Sequence, residues 1–283
     1  MTASAYRCSS SDYHGRMGYV HASNLLKFVE SPLSWYETFV LGIRPKPERT
    51  FDMLFGTLTH LFVLEKDKVN DEFCCVPPGL TGRGTKGVVT EWIAENANGR
   101  EVVMPAVWRE AQMLAEALRK SPDTGPWLET AGEVELSIDW RECGLNMTAR
   151  MDKIFLREPL NAVADVKTSS FLADFEYSIR KWGYDLQAAQ YSAAAEAWTG
   201  RQAEVSFLVV DKRNKECAVV PMPEDHQAAA QRKRLRILAY IKQCFDTGIW
   251  PERGVELRRI EPIADLDFEP PEVKLSDYSA SAF

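Results

Sequence analysis

The chain lacks what a membrane protein would need. No stretch of its 283 residues approaches the roughly 20 consecutive apolar residues of a spanning helix. Its opening stretch, MTASAYRCSSSDYHGRMG, has no apolar core of the signal-peptide kind. The expectation is a cytoplasmic protein. Six cysteines are present (Cys8, Cys74, Cys75, Cys143, Cys217 and Cys244), but no two are spaced as C-x-x-C. That leaves a zinc or iron–sulfur site without support and favours buried or idle thiols. No internal repeat is evident, and no linker is rich enough in Gly, Ser or Pro to divide the chain. Residues 1–283 therefore read as one unit, although the length alone would allow two small domains. Positive charge is in deficit, with 34 Lys and Arg against 41 Asp and Glu, a net −7. This argues against a protein that coats nucleic acid. It does not argue against an enzyme acting on nucleic acid, because local basic patches count for more than the total and a metal centre needs carboxylates. What is present is an ordinary globular composition, 45% hydrophobic and 27% charged.

Periodicity along the chain gives alternating helices and strands. HASNLLKFVESPLSWYETFV reads as two short helices broken at Pro32, with Ser23 able to cap the first. TFDMLFGTLTHLFVLEKD is apolar nearly all round and should be a buried helix. EFCCVPP reads as a short strand with a proline stop, and GLTGRGTKG, residues 79–87, as a Gly-rich basic loop. Helices are expected near 88–97 and 105–120, and SPDTGPW reads as a turn. EVELSIDW, NMTARMDKIFL and NAVADVKT alternate as strands and lie close in sequence, which predicts an antiparallel meander. A helical stretch from about 172 to 199 is broken near Gly183, and AEVSFLVVDK with KECAVVPM reads as a further hairpin. A long helix from about 224 to 245 places Leu235, Leu238, Ile241 and Phe245 on one face. From Trp250 the chain is Pro-rich and acidic, suited to wrapping the surface or packing on a neighbour.

The chemistry concentrates in ADVKTSS, residues 164–170. Side chains two apart on a strand share a face, so Asp165 and Lys167 lie side by side in an otherwise apolar strand. Charges near a core must be paired or must coordinate a metal. A bare D-x-K is also common as a surface ion pair. Asp152, in the preceding strand, shifts the balance, because adjacent strands can bring the two carboxylates together. Two acids with a few waters suit Mg²⁺, and an ammonium beside them suits metal-assisted phosphodiester hydrolysis. His60 alone would read as a core histidine, Gln187 and Tyr191 as an i,i+4 helix pair, and Glu135 as an exposed strand residue. The run RKRLR, residues 232–236, is placed on the exposed side of the last helix with Leu235 facing the core. It reads either as a solvated face or as a contact to a DNA backbone.

MDKIFL…ADVKT resembles the PD-(D/E)XK nuclease superfamily, with Met151 standing where the proline of the motif often does. GTLTH resembles the G-x-x-x-H of RecB-like and RecE-like nucleases, and QAAQY the Q-x-x-x-Y that follows the lysine there. The order along the chain also matches: G-x-x-x-H, Glu135, Asp152, D-x-K, Q-x-x-x-Y. The core of the match covers roughly residues 50–200. GRGTKGVVTEW resembles a segment of RecE-type enzymes, and RMGYVHAS a stretch of the phage lambda type of exonuclease, with His21 where that family has Thr.

The resemblance implies an α/β (α+β) fold with a restriction-endonuclease-like core, a central mixed sheet containing the meander and flanked by helices. The core would span about 50–220, with a helical DNA-end-binding part at 1–49 and a C-terminal helix and tail at 224–283. It implies Mg²⁺ or Mn²⁺, two ions, held by His60, Asp152, Asp165 and the Val166 carbonyl, with Glu135 binding through water or positioning Lys167. Lys167 would orient the attacking hydroxide, and Gln187 and Tyr191 would steady the phosphate or Lys167. Arg16 and Ser23 would hold a 5′-phosphate, with Arg83, Lys86 and Arg150 on the DNA. The activity implied is 5′→3′ exonucleolytic hydrolysis of linear duplex DNA, leaving a 3′-hydroxyl and a 5′-phosphate at each cut. A homo-oligomeric ring, trimer or tetramer, would work with a single-strand annealing protein in a bacterial or prophage setting. The alternatives are another nuclease of the superfamily, acting on single strands or as an endonuclease, and a non-catalytic DNA-end-binding module.

Overall fold

The computed structural model describes residues 3–81, 86–156 and 161–253. Arg83 and the Pro-rich stretch beyond residue 253 lie outside the described residues. In chain order the elements begin with β1 (Ser4–Tyr6), α1 (Ser10–Gly15), β2 (Tyr19–Val20), α2 (Ala22–Glu30), α3 (Pro32–Phe39) and α4 (Phe51–Leu64). Then come α5 (Val69–Glu72), β3 (Phe73–Cys75), α6 (Lys86–Asn96), β4 (Glu101–Val103), α7 (Pro105–Lys120) and α8 (Gly125–Glu129). The meander follows as β5 (Glu133–Glu142), β6 (Leu145–Leu156) and β7 (Asn161–Ser169). The chain continues through α9 (Phe175–Trp182), α10 (Tyr184–Thr199), β8 (Glu204–Asp211), β9 (Cys217–Pro221) and α11 (Glu224–Thr247).

A seven-stranded mixed sheet runs β1-β5-β6-β7-β8-β9, with β2 pairing β6. β5, β6 and β7 form the expected antiparallel meander, β8 and β9 the expected hairpin, and β7–β8 is parallel across the α9–α10 crossover. Two apolar cores lie on opposite faces. One takes Leu136, Ile138, Met147, Val163, Phe207 and Val209 against α2, α3, α10 and α11. The other takes Ala164, Val166, Leu208 and Val210 against α4 and α7. Neighbours such as Val163 and Ala164, or Phe207 and Leu208, point to opposite cores because a strand alternates its faces. Among the described residues no helix is long and apolar enough to cross a membrane.

The sheet forks beside the candidate site. β5 occupies one edge of β6 from Leu145 to Ile154, so β7 and β2 must share the other. β7 pairs β6 only from Lys153↔Ala164 to Leu156↔Asn161, and β2 pairs it at Asn146 and Met147. Between these two contacts β6 and β7 part, and the parting begins at Asp152 and Asp165.

Several local readings are corrected. The N-cap of α2 is His21, whose backbone N–H donates to Asn24 Oδ1 at 3.1 Å; Ser23 is the second helical residue and exposed. The SPDTGPW turn continues into the short helix α8. RKRLR is not a uniformly exposed run. Arg234 is 0% exposed and shares the inner stripe of α11 with Ala230, Ile237, Ile241 and Cys244, while Leu235 is only partly buried. The guanidinium can be buried because Glu142 pairs with it and Gln190 Oε1 accepts from its Nε at 2.6 Å. Burial alone would raise the Glu142 carboxyl, but Arg234 and the Trp140 indole N–H hold it below the ordinary value.

Candidate active site

Five elements converge on the fork: α4, β5, β6, β7 and α10. α4 contributes His60, which forms on its apolar helix because Thr50 caps the first turn and Phe55, Leu58, Leu61 and Phe62 bury the rest. Gly56, one turn before His60, faces β7, where a Cβ would make an ordinary contact 3.9 Å from Thr168 Oγ1. The G-x-x-x-H spacing thus sets Gly56 and the ligand His60 on one helix face. β5, β6 and β7 contribute Glu135, Asp152 and Asp165. The pairs Val134↔Lys153 and Leu136↔Met151 bracket Glu135 opposite Asp152, and Asp165 is the next residue of β7 beyond Ala164. The three acids therefore form a row across three strands.

The row coincides with a break in strand alternation. Met147, Ala149 and Met151 face one core at two-residue spacing, but the next β6 residue in that core is Ile154, three further on. Glu135 opposite has φ +52°, a left-handed conformation costly for a residue with a Cβ. Such strain persists only where the surroundings hold it, and here His60 and Arg150 both engage the Glu135 carboxylate.

The contacts are direct. The His60 ring lies between Asp152 Oδ2, bonded to Nε2, and Glu135 Oε1, 3.2 Å from Nδ1. Asp152 Oδ2 also accepts the Val166 N–H at 2.7 Å, so the aspartate replaces the ladder where the strands part. The N–H and C=O of one strand residue face the same side, and the Val166 carbonyl accordingly faces the fork. Asp165, 1% exposed, pairs with Lys167 through one oxygen and accepts the Tyr191 hydroxyl through the other at 3.0 Å. Gln187 Nε2 donates to that hydroxyl at 2.7 Å. The i,i+4 pair on α10 thus orients Asp165 rather than Lys167. Likewise Glu135 touches His60 and Arg150 (2.5 Å) and not Lys167.

The electrostatics follow from crowding acids in a dry place. Burial raises Asp165 to about 6, reinforced by Asp152 and opposed by Lys167. Burial would also raise Asp152, but His60, Lys167 and the Val166 N–H bring it below the ordinary value. Burial disfavours the charged forms of Lys167 and His60, yet the neighbouring acids more than reverse this and hold both above their usual values.

A divalent cation fits this donor set. His60, Glu135 and Asp152 each offer a ligand atom, all within 4.8 Å of one another. One imidazole nitrogen with carboxylate oxygens suits a hard or borderline divalent ion.

The remaining sequence-derived residues lie elsewhere or are engaged. Arg150 is in the cluster itself, paired with Glu135 and 3.7 Å from Glu65. Arg16 grips Asp139 with both arms at 2.7 Å, bonds the Tyr6 hydroxyl and lies 3.6 Å from the Tyr19 ring centroid. Its fork is committed to a carboxylate. Lys86 begins α6 and is exposed. Sequence reasoning missed Tyr184, whose ring centroid is 4.7 Å from Lys167 Nζ. Its position three residues before Gln187, on one face of α10, was the available signal.

The sequence matches no curated protein. A solved structure described as "Putative exonuclease" from Eubacterium rectale aligns with a TM-score of 0.60 at 14% identity, covering 98% of this chain and 100% of that one. Protein VC1899 from Vibrio cholerae aligns over 87% of this chain and 58% of its own at 10% identity, with a TM-score of 0.24, too low to bear on the fold. The model of the PDDEXK-like domain of unknown function (DUF3799) matches residues 22–259. With its mixed sheet, flanking helices and row of acids, the chain belongs to this PDDEXK-like family, a membership that supports a nuclease.

Proposed function

We propose that the chain is a divalent-metal-dependent deoxyribonuclease that degrades linear duplex DNA from its ends. The observation that carries the reading is the convergence of His60, Glu135 and Asp152 beside a buried Asp165–Lys167 pair. Held by His60, Glu135, Asp152 and Asp165, Mg²⁺ or Mn²⁺ would supply Lewis acidity at phosphorus and a water of lowered pKa. The chain's own groups do the rest. Lys167 keeps its proton because Asp165 is against it. It donates to a water or a phosphate oxygen, so that charge developing in the transition state meets a fixed cation. Tyr191, itself held by Gln187, fixes the Asp165 carboxylate by occupying one of its oxygens. Arg150 neutralises Glu135 and limits the repulsion that three acids would otherwise meet.

The finer reading is 5′→3′ polarity, production of 3′ single-stranded tails for strand annealing, two ions, and a trimeric or tetrameric ring. It is supported by the resemblance of RMGYVHAS and GRGTKGVVTEW to phage recombination exonucleases. A ring would suit a net acidic chain that must still retain DNA, since enclosed DNA cannot diffuse away. The test is digestion, with Mg²⁺, of linear duplex bearing 5′-phosphate or 5′-hydroxyl ends against closed circular duplex. The linear forms should be consumed from their ends, the phosphorylated one faster, and the circle should survive. Cutting of the circle would overturn the exonuclease reading.

A further inference from the structure

Among the described residues four aromatic side chains are exposed: Phe51 (63%), Phe171 (49%), Tyr177 (65%) and Trp182 (58%). Three of them follow the Asp165–Lys167 strand in the chain. Phe51 is at the start of the His60 helix. Phe171 is two residues beyond the end of the Asp165–Lys167 strand, and Tyr177 and Trp182 are on α9, the next helix. Three of these rings are matched with cations. The Arg213 guanidinium carbon lies 5.1 Å from the Phe171 ring centroid. Lys181 Nζ lies 5.6 Å from that of Tyr177 and 4.8 Å from that of Trp182.

The segments that carry these rings are tied to the elements of the site. Phe175 anchors α9, its ring 5.9 Å from Tyr184 and 5.8 Å from Phe207, and Lys167 Nζ lies over the Tyr184 ring. On the other side the Lys212 backbone N–H donates to the Ser169 carbonyl at 2.8 Å, which seats Arg213 beside the end of the Lys167 strand. Leaving large rings in water is unfavourable, and exposed rings with basic neighbours suit an interaction surface. Rings interleaved with Lys and Arg match a polymer with flat bases and a negative backbone, and base–ring stacking tolerates any sequence.

We infer that Phe171, Tyr177 and Trp182, with Lys181 and Arg213, form a stacking track for a single strand of DNA entering or leaving the Lys167 site. This rests on the nuclease reading above and adds to it a surface that handles an unpaired strand. The test is fluorescence anisotropy of labelled oligo(dT) and of an abasic oligomer of equal length, in EDTA, with the full chain and with Tyr177→Ala, Trp182→Ala and Phe171→Ala. Each alanine should weaken oligo(dT) binding by about tenfold, within the range seen when one stacked ring is removed. Trp182→Phe and Tyr177→Phe should restore most of it, and the abasic oligomer should bind weakly and equally to all. Equal affinity of every variant for oligo(dT), or abasic binding as tight as oligo(dT), would overturn the track. So would a change in sedimentation without a change in oligo(dT) affinity, since the face would then join copies of the chain. Hydrolysis of bis(p-nitrophenyl) phosphate by the unaltered chain with Mn²⁺ checks the nuclease reading separately.

Discussion

At the scale of single residues, the site is a balance of buried charges. Three carboxylates are set against Lys167, Arg150 and His60, and Asp165 is raised above all by its burial and then by Asp152 beside it. Lys167→Ala should lower cleavage on the order of a hundredfold to a thousandfold, the cost of losing one charge-stabilising donor, while DNA binding survives. Gel analysis of cleavage beside a filter-binding assay measures both, and unchanged cleavage would remove Lys167 from the mechanism. A second residue makes a pH prediction. His21 is 4% exposed, neither ring nitrogen has a hydrogen-bond partner among the described residues, and the groups facing it, His14, Lys46 and Arg16, add to its discomfort when charged. Burial above all, then these cations, lower it from 6.5 to about 3. A depressed folded value means the unfolded chain takes up the proton first. The stability contributed by neutral His21 is therefore complete above 6.5 and is lost as pH falls toward 3, at up to about 1.4 kcal/mol per pH unit. Denaturant melts from pH 7 to 5 should show the loss, and His21→Phe should reduce the slope to what remains from His14, itself lowered to about 4; an equal slope in the variant contradicts this. Of these residues, Asp165 and Lys167 were legible because a two-residue spacing fixes their shared face. Arg16's partner was not, because Asp139 is 123 positions away and the pairings of β1 with β5 and of β2 with β6 bring the two segments together.

At the scale of elements, long periodic segments were legible, as were short ones marked by a proline, namely α2, α3 and β3, while the unmarked short strands were not. α4, α7, α10 and the meander follow their patterns. β1 and β2 have three and two residues, too few for periodicity, and exist because β5 and β6 offer edges. β4, of three residues, forms only against β3. The α11 face was misread because a buried Arg looks like part of a basic run. Its partners, Glu142 and Gln190, lie on β5 and α10, and Gln190 Nε2 in turn donates to the carbonyls of Val20 and Thr148. This buried chain ties α11, α10, β2, β5 and β6 together. Arg234→Ala should destabilise by about 3–5 kcal/mol, because Glu142 would be left charged and unpaired. Chemical denaturation measures it, and a loss under about 1 kcal/mol, within the range of ordinary surface pairs, would show that the pair contributes little.

At the scale of the whole molecule, the fold brings two opposite faces of a sheet to one point. α4 reaches the fork from one core with His60, α10 from the other with Gln187 and Tyr191, and the parting of β6 and β7 lets both act on one row of acids. The class of fold was legible through the resemblance, which implied a mixed sheet flanked by helices, whereas the order of elements by itself gave only the meander and the hairpin. The row itself was legible only in part. Asp152 and Asp165 follow from neighbouring strands, but Glu135 joins them through a left-handed backbone turn that no periodicity announces. Calorimetric titration with Mn²⁺ tests this convergence most directly. The unaltered chain should bind the ion, and Asp152→Asn and His60→Ala should each weaken binding by at least the roughly tenfold to hundredfold that losing even an outer-shell partner costs. Equal binding by all three proteins, or none by the unaltered chain, would contradict the account.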